Sequence, residues 1–354
     1  MNPLRVAISP SFCRADGRWN FPGFDIAALA SDPAYDVVQL SGASTLRADD
    51  VRDFDALILA GDALPATALP IESRLGIVAR FGVGYDKVDV AACTAAGVAL
   101  TITPDAVRRP VAVAALTLVL AAAGKLLIKD RLTREGPAGF ATRTDHMGIG
   151  LVDRTLASIG LGNIGAEMYR LAKPLGMRHI AHDPWANPAI ASEAGVTLVD
   201  LATVFREADF LCVHCPLTPQ TKHLVNAERI ATMKPSAYLI NTARGAIVDQ
   251  RSLEDALERG AIAGAALDVL DPEPPMAESP ILRMGNVILA PHALSWTDQA
   301  FAAIGEGCIE PVRALARGEA PRNVVNRDVL DTRAFLDKLA RRRVVATDHR
   351  DRAR

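Results

Sequence analysis

Gly160-Leu161-Gly162-Asn163-Ile164-Gly165 follows directly on the apolar run Leu156-Ala157-Ser158-Ile159 and opens onto a helical pattern, Ala166-Glu167-Met168-Tyr169-Arg170-Leu171-Ala172. Each part of this stretch has a separate physical task in a dinucleotide-binding βαβ unit. Gly160 lets the chain turn sharply out of the strand, Gly162 removes a side chain that would hold a diphosphate off the backbone, and Gly165 lets helix and sheet approach closely. The diphosphate then lies on the helix N-terminus, where unpaired N–H groups favour negative charge. Asp183 comes 18 positions after the last glycine, at the end of the run Arg178-His179-Ile180-Ala181-His182, where it can accept from the adenosine ribose hydroxyls. A 2′-phosphate would meet its like charge, and no Arg occurs in Asp183-Pro184-Trp185-Ala186-Asn187, so the reading favours NAD over NADP.

Outward from this stretch, apolar β-like runs alternate with helical patterns almost from end to end, which implies α/β layering around parallel sheets. The first series is Leu4 to Ile8, Val37 to Leu40, Ala56 to Ala60, Ile77 to Phe81 and Val98 to Thr103. The second runs through Thr155 to Ile159, His179 to Asp183, Phe210 to Cys215, Tyr238 to Thr242, Ala263 to Val269 and Val287 to Ala290. Because the glycine stretch opens the second series, an independent unit precedes the cofactor domain. Helical patterns at Val111 to Ala123 and Thr297 to Ala316 are the expected crossings between domains. The reading is a discontinuous substrate domain, 1–107 with 296–330, an NAD-binding domain, 108–295, and a basic C-terminal tail, 331–354, expected to be solvated.

The composition is that of an ordinary globular chain, with 50 % apolar and 23 % charged residues among 354. A net charge of −2 gives no general reason to expect nucleic acid or an anionic membrane as partner. The N-terminus lacks a signal-peptide pattern, and the most apolar window, Val111 to Gly124, is about fourteen residues and reads as too short to span a bilayer, so a cytoplasmic location is expected. Cys212-Val213-His214-Cys215 has CxxC spacing but lies in a strand-like run, where positions i and i+3 face opposite sides, and no second Cys/His pair completes a metal site.

Arg244, Glu273 and His292 each stand at a strand or turn end of the second series, where α/β folds place their ligands. Singly, each has an ordinary explanation: a solvated Arg, a rigid Pro-flanked turn, a packing His. Together they match what oxidising a 2-hydroxy acid requires. A guanidinium holds the carboxylate and polarises the C2 oxygen, an imidazole takes the hydroxyl proton as hydride leaves, and a carboxylate orients the ring.

At these positions the chain resembles the D-isomer-specific 2-hydroxyacid dehydrogenases over about residues 50 to 328. The matching segments are Arg80-Phe81-Gly82-Val83-Gly84-Tyr85-Asp86-Lys87-Val88-Asp89, the glycine stretch, His214-Cys215-Pro216-Leu217-Thr218 with Thr221, Asn241 to Gly245, Ala266-Leu267-Asp268-Val269, Glu273-Pro274 and Pro291-His292. The resemblance implies two Rossmann-like or flavodoxin-like domains with parallel sheets, an active site in the interdomain cleft, NAD as cofactor and a homodimer built on the cofactor domain. It implies Arg244, Glu273 and His292 as catalytic residues and backbone at Val83 and Gly84 as the holder of the substrate carboxylate. Asp268 would meet the nicotinamide amide. Gly160, Gly162, Asn163, Ile164, Gly165, Asp183, His214, Cys215, Pro216, Thr221, Thr242 and Ala243 would line the cofactor.

The chain departs from the family pattern at Pro104-Asp105-Ala106-Val107-Arg108-Arg109-Pro110-Val111-Ala112-Val113, and at Ala293-Leu294-Ser295-Trp296 after the histidine. Two further readings stay open. One is a formate- or phosphite-type dehydrogenase of the same fold, the former disfavoured by Glu273 where formate enzymes carry Gln. The other is a non-catalytic NAD(H)-sensing protein like the family's corepressors. The substrate is a small 2-keto or 2-hydroxy acid; Arg80, Arg108 and Arg109 leave a phosphorylated one open.

Overall fold

Runs of two to five residues, most of them buried, make the strands, and the computed structural model describes them within residues 3–352, with side chains through Arg342. The first sheet comprises β1 (Leu4–Ile8), β2 (Tyr35–Gln39), β3 (Ala56–Leu59), β4 (Ile77–Arg80) and β5 (Ala99–Thr101). All its pairings are parallel and the order is β2-β1-β3-β4-β5. The second comprises β6 (Thr155–Ile159), β7 (Arg178–His182), β8 (Thr197–Leu198), β9 (Phe210–Val213), β10 (Tyr238–Asn241), β11 (Gly264–Leu267) and β12 (Val287–Leu289). It is also parallel, in the order β12-β11-β10-β9-β6-β7-β8. Counted from its own first strand this is the doubly wound dinucleotide-binding order with one strand added, and the first sheet has the flavodoxin-like order. β1 and β6 end where their apolar runs do, and the other strands read from the sequence end one or two residues earlier, because the residues at their carboxyl ends leave the ladder to form loops.

The chain divides into two compact units, Met1–Val107 with Thr297–Arg354, and Arg108–Trp296. The second unit's sheet is covered on both faces, which is why its strands read as unbroken apolar runs. Leu156, Phe210, Cys212 and Ile240 pack on one side with Met168 and Tyr169 of helix Asn163–Ala172. Ala157, Ile159, Leu211, Val213 and Leu239 pack on the other with Val204, Phe205, Leu253 and Leu257. Cys212 and Cys215 accordingly go to opposite faces.

Three elements differ from the sequence expectation. The apolar helix spans Pro104–Gly124, 21 residues, and contains Pro110 rather than starting after it. By length and composition alone it is therefore long and apolar enough to cross a membrane, contrary to the fourteen-residue estimate. Its buried Ala112, Ala115, Leu118, Val119, Ala122 and Ala123 join the second unit's core. The stretch Asp86 to Cys93, followed by Gly97, reads as the start of a helix, but the helix begins only at Val90, with the Asp89 side chain accepting from Ala92 N–H as N-cap.

The third difference is the C-terminus, read as a solvated tail from Asp331. It forms a helix, Arg333–Arg352, that belongs to the first unit. Phe335 and Leu339 are buried one turn apart, each contributing about 1.5–3 kcal/mol by transfer from water. Lys338 Nζ donates to the carbonyls of Leu75, Ala96 and Gly97 at 2.7, 2.6 and 3.0 Å. Arg342 pairs at 2.5 Å with buried Asp55, which also holds Arg74. Charges that suggested a solvated segment are thus anchors. Side chains from residue 343 onward lie outside the described residues.

Candidate active site

The glycine stretch occupies the switch point of the second sheet, between β6 and β9, where the chain leaves on opposite sides and opens a crevice. Gly160 has φ +99, and a Cβ there would stand 2.7 Å from Cys215 N. Its lack of a side chain is what lets the loop after β9 pass. A Cβ on Gly162 meets nothing within 4 Å, so that residue faces open space. Helix Asn163–Ala172 starts there with no side-chain cap and no acid in its first turn, which leaves its N–H groups for an anion.

Asp183, just past β7, accepts from Leu161 N–H at 2.8 Å through Oδ2 and from Trp185 N–H at 2.9 Å through Oδ1. The acid is thereby fixed against the glycine loop. His214 lies at the end of β9, its Nε2 3.2 Å from the Met168 sulfur. Burial pushes its pKa down to about 4, so the ring is neutral at physiological pH. Thr221 Oγ1 donates to Pro216 O at 2.6 Å and closes the loop that carries Cys215 and Pro216. Thr242 Oγ1 is buried with no hydrogen-bond partner among the described residues, and such an atom calls for a ligand group or water. An uncapped helix end, an open glycine, a fixed acid and an orphaned hydroxyl fit a bound dinucleotide.

The chemistry-bearing side chains gather at the carboxyl ends of β10, β11 and β12. His292 Nδ1 lies 2.5 Å from Glu273 Oε1. Burial raises the Glu273 pKa, but the hydrogen bond and charge of His292, with a smaller pull from Arg244, outweigh it and hold the carboxyl below its ordinary value of 4.5. His292 has φ +55, a left-handed conformation that a non-glycine residue keeps only where its surroundings enforce it. Asp268 does the enforcing: its backbone oxygen accepts from His292 N–H at 2.7 Å, and its Oδ1 accepts from Ala293 and Leu294 N–H at 3.0 and 3.2 Å. Burial raises the Asp268 pKa despite these bonds.

Arg244 leaves β10 through a turn built by Asn241, which sequence reasoning gave no role. Buried Asn241 donates to Arg244 O at 2.9 Å and accepts from Ala243 N–H at 3.0 Å. An amide directly after an apolar strand and before Thr-Ala-Arg-Gly was the available signal. Gly245 completes the turn, since a Cβ there would overlap Leu270 O at 1.9 Å.

In the first unit, Val83 and Gly84 lie in the loop after β4. That loop is tied to its neighbour by Leu64 N–H to Lys87 O and Asp89 N–H to Leu64 O, both 2.9 Å. Residues Ser9 to Phe24, a stretch after β1 rich in aromatics and charge that reads as a long loop, bring Phe12, Trp19, Phe21 and Phe24 into a ring cluster with Phe81 and Phe301. Of the three arginines that left a phosphorylated substrate open, Arg109 is paired at 2.7 Å with Glu167.

A dinucleotide crevice beside an ordered imidazole–carboxylate pair and a guanidinium defines an oxidoreductase. The sequence profile described as "D-isomer specific 2-hydroxyacid dehydrogenase, NAD binding domain" matches residues 116–293. A glyoxylate reductase of Korarchaeum cryptofilum is 40% identical over 285 residues, 80% of this chain and 86% of the relative. A D-3-phosphoglycerate dehydrogenase of Methanocaldococcus jannaschii is 38% identical over 280 residues, 78% of this chain and 53% of that protein. The crystal structure of a glyoxylate reductase from Paecilomyes thermophila superposes with a TM-score of 0.77 at 25% identity, covering 92% of this chain and 99% of the other. The chain belongs to the D-isomer-specific 2-hydroxyacid dehydrogenase family. It is an NAD-dependent oxidoreductase acting on 2-hydroxy or 2-keto acids.

Proposed function

We propose that the protein reduces a small, unphosphorylated 2-keto acid of the glyoxylate or hydroxypyruvate kind, using NADH. The observation that carries this reading is the 2.5 Å contact of His292 with Glu273, with Arg244 acting on the same carboxylate. Bound NADH supplies the hydride at its nicotinamide. Arg244 holds the substrate carboxylate and polarises the C2 oxygen, and backbone at Val83 and Gly84 of the first unit receives the carboxylate from its own side. His292, oriented by Glu273, gives the C2 oxygen its proton through Nε2. In the oxidative direction the same ring takes that proton.

The unit Arg108–Trp296 serves as the cofactor domain and the other as the substrate domain. Backbone at Gly160, Gly162, Asn163, Ile164 and Gly165 receives the diphosphate, and Asp183 the adenosine ribose. His214, Cys215, Pro216, Thr221, Thr242 and Ala243 line the dinucleotide, and Asp268, besides fixing the His292 turn, faces the carboxamide. The enzyme works in the cytoplasm as a homodimer, with no nucleic-acid or membrane partner. Exposed Val113, Leu120, Leu126, Leu127 and Phe140 on the helices Pro104–Gly124, Leu126–Arg134 and Pro137–Ala141 support pairing through the cofactor unit.

Comparing rates with glyoxylate, hydroxypyruvate and 3-phosphohydroxypyruvate tests the substrate class. The engagement of Arg109 by Glu167 supports at least tenfold preference for the unphosphorylated acids; a preference for the phosphorylated one overturns it.

Two expected results bear on the residue roles. Asp183→Ala weakens NADH binding about tenfold, on the scale of charge-assisted hydrogen bonds, and narrows the gap between NADH and NADPH. Equal selectivity in wild type and variant, measured by titration with both cofactors, contradicts the ribose role. For Glu273, whose carboxyl His292 holds below its ordinary value, the carboxylate persists to lower pH than that of a free glutamate, so keto-acid reduction survives mild acid and fails in stronger acid. In Glu273→Gln no carboxylate remains to titrate, and the acid decline of the reduction rate is lost. An unmoved pH profile refutes the coupling of the two groups.

A further inference from the structure

Trp185 is the most exposed large apolar side chain among the described residues, at 86%. Tryptophan is highly buried on average, and its ring offers a large flat contact area to any partner. Its backbone, by contrast, is held from both sides. Trp185 N–H donates to Asp183 Oδ1 at 2.9 Å, Ala186 N–H donates to Asp183 O at 3.2 Å, and Asn187 caps the following helix, Pro188–Ala194. A rigid turn thus presents a free indole two residues beyond the acid at the end of β7.

We propose that this indole is the stacking platform for the adenine of NAD. Adenine hangs from C1′ of the ribose whose hydroxyls fall to Asp183, so the base lies within a few ångströms of that carboxylate. Both oxygens of Asp183 are already fixed, one to the glycine loop and one to Trp185 itself, so the acid and the ring form one unit. A purine has a flat, weakly hydrated π-face and stacks on aromatic rings without needing further hydrogen bonds. An indole here also leaves no cation for a 2′-phosphate, which reinforces the discrimination that Asp183 makes by charge. Trp185 thereby sets affinity for the adenosine half of the cofactor and takes no part at the reacting end.

The test uses the whole protein and three probes: NADH, AMP, and reduced nicotinamide mononucleotide, which lacks adenosine. The chain has three tryptophans, so emission can be assigned by substitution. In wild type and in Trp19→Phe, AMP quenches tryptophan emission; in Trp185→Phe that quench is lost. By calorimetry Trp185→Ala binds NADH and AMP about tenfold more weakly, while Trp185→Phe, which keeps an aromatic face, loses about twofold. Affinity for the mononucleotide is unchanged in both. Full NADH and AMP affinity in Trp185→Ala overturns the proposal, as does an equal loss for the mononucleotide. Unaltered NADH affinity accompanied by a change in oligomeric state assigns the ring to a protein interface instead and overturns it too. Wild-type protein that binds the mononucleotide but not AMP refutes the placement of the adenosine at Asp183 along with it.

Discussion

Replacing His292 by Ala lowers the rate of keto-acid reduction by about 10²–10⁴-fold, the range that general acid–base groups contribute, while NADH binds with nearly wild-type affinity. The two halves of this result come from the geometry. The imidazole is held by Glu273 through Nδ1 and by Asp268 through the backbone, so the turn survives loss of the ring. The residues proposed for the diphosphate and the adenosine ribose, Gly160 to Gly165 and Asp183, lie after β6 and β7, several strands from β12 in the sheet order. Stopped-flow reduction and NADH titration of one preparation check both. An unchanged rate removes His292 from the proton transfer, and a parallel loss of NADH affinity means that the residue shapes the crevice instead.

Arg244→Ala comes next in size. A guanidinium that binds carboxylate and C2 oxygen through two donors loses both at once, and kcat/KM falls about 10²–10³-fold, comparable with deleting an oxyanion donor. Arg244→Lys keeps the charge but not the planar fork, and recovers only part of that loss. Steady-state kinetics on the variants separates the two contributions. If Lys restores the full rate, the residue supplies only charge; if Ala costs nothing, Arg244 does not touch substrate. Asn241 holds the turn on which this arginine sits, so its own replacement is expected to act through Arg244's position.

What the sequence made legible was local. Gly160 to Asp183 could be read because strand, turn, helix and acid follow one another within one βαβ unit, and periodicity reports such neighbours directly. The order of strands could not, because β6 pairs with β9 across more than fifty residues and nothing in either run names the other. The work of Asp268 was hidden for the same reason: its carboxylate caps N–H groups 25 and 26 positions later. Resemblance to relatives pointed to the residue but not to its grip on the His292 turn.

Other misreadings have physical causes in single residues. Pro110 suggested a helix boundary, since proline removes a donor and crowds the preceding turn, yet helix Pro104–Gly124 continues through it. The C-terminal segment looked solvated because its arginines dominate the composition. Two of its apolar residues, Phe335 and Leu339, stand at i and i+4, and that is enough to bury one face of a helix. Lys338 then meets three backbone carbonyls, a partnership that side-chain composition cannot announce.

The most direct test of the central claim is the loss of NADH absorbance on adding glyoxylate or hydroxypyruvate, with NADPH alongside. Turnover with NADH, faster than with NADPH, is the result expected from Asp183 beside the crevice and His292 on Glu273. Tight NADH binding with no turnover of any 2-keto acid would contradict it and make the protein an NADH-binding sensor that keeps the site without its reaction.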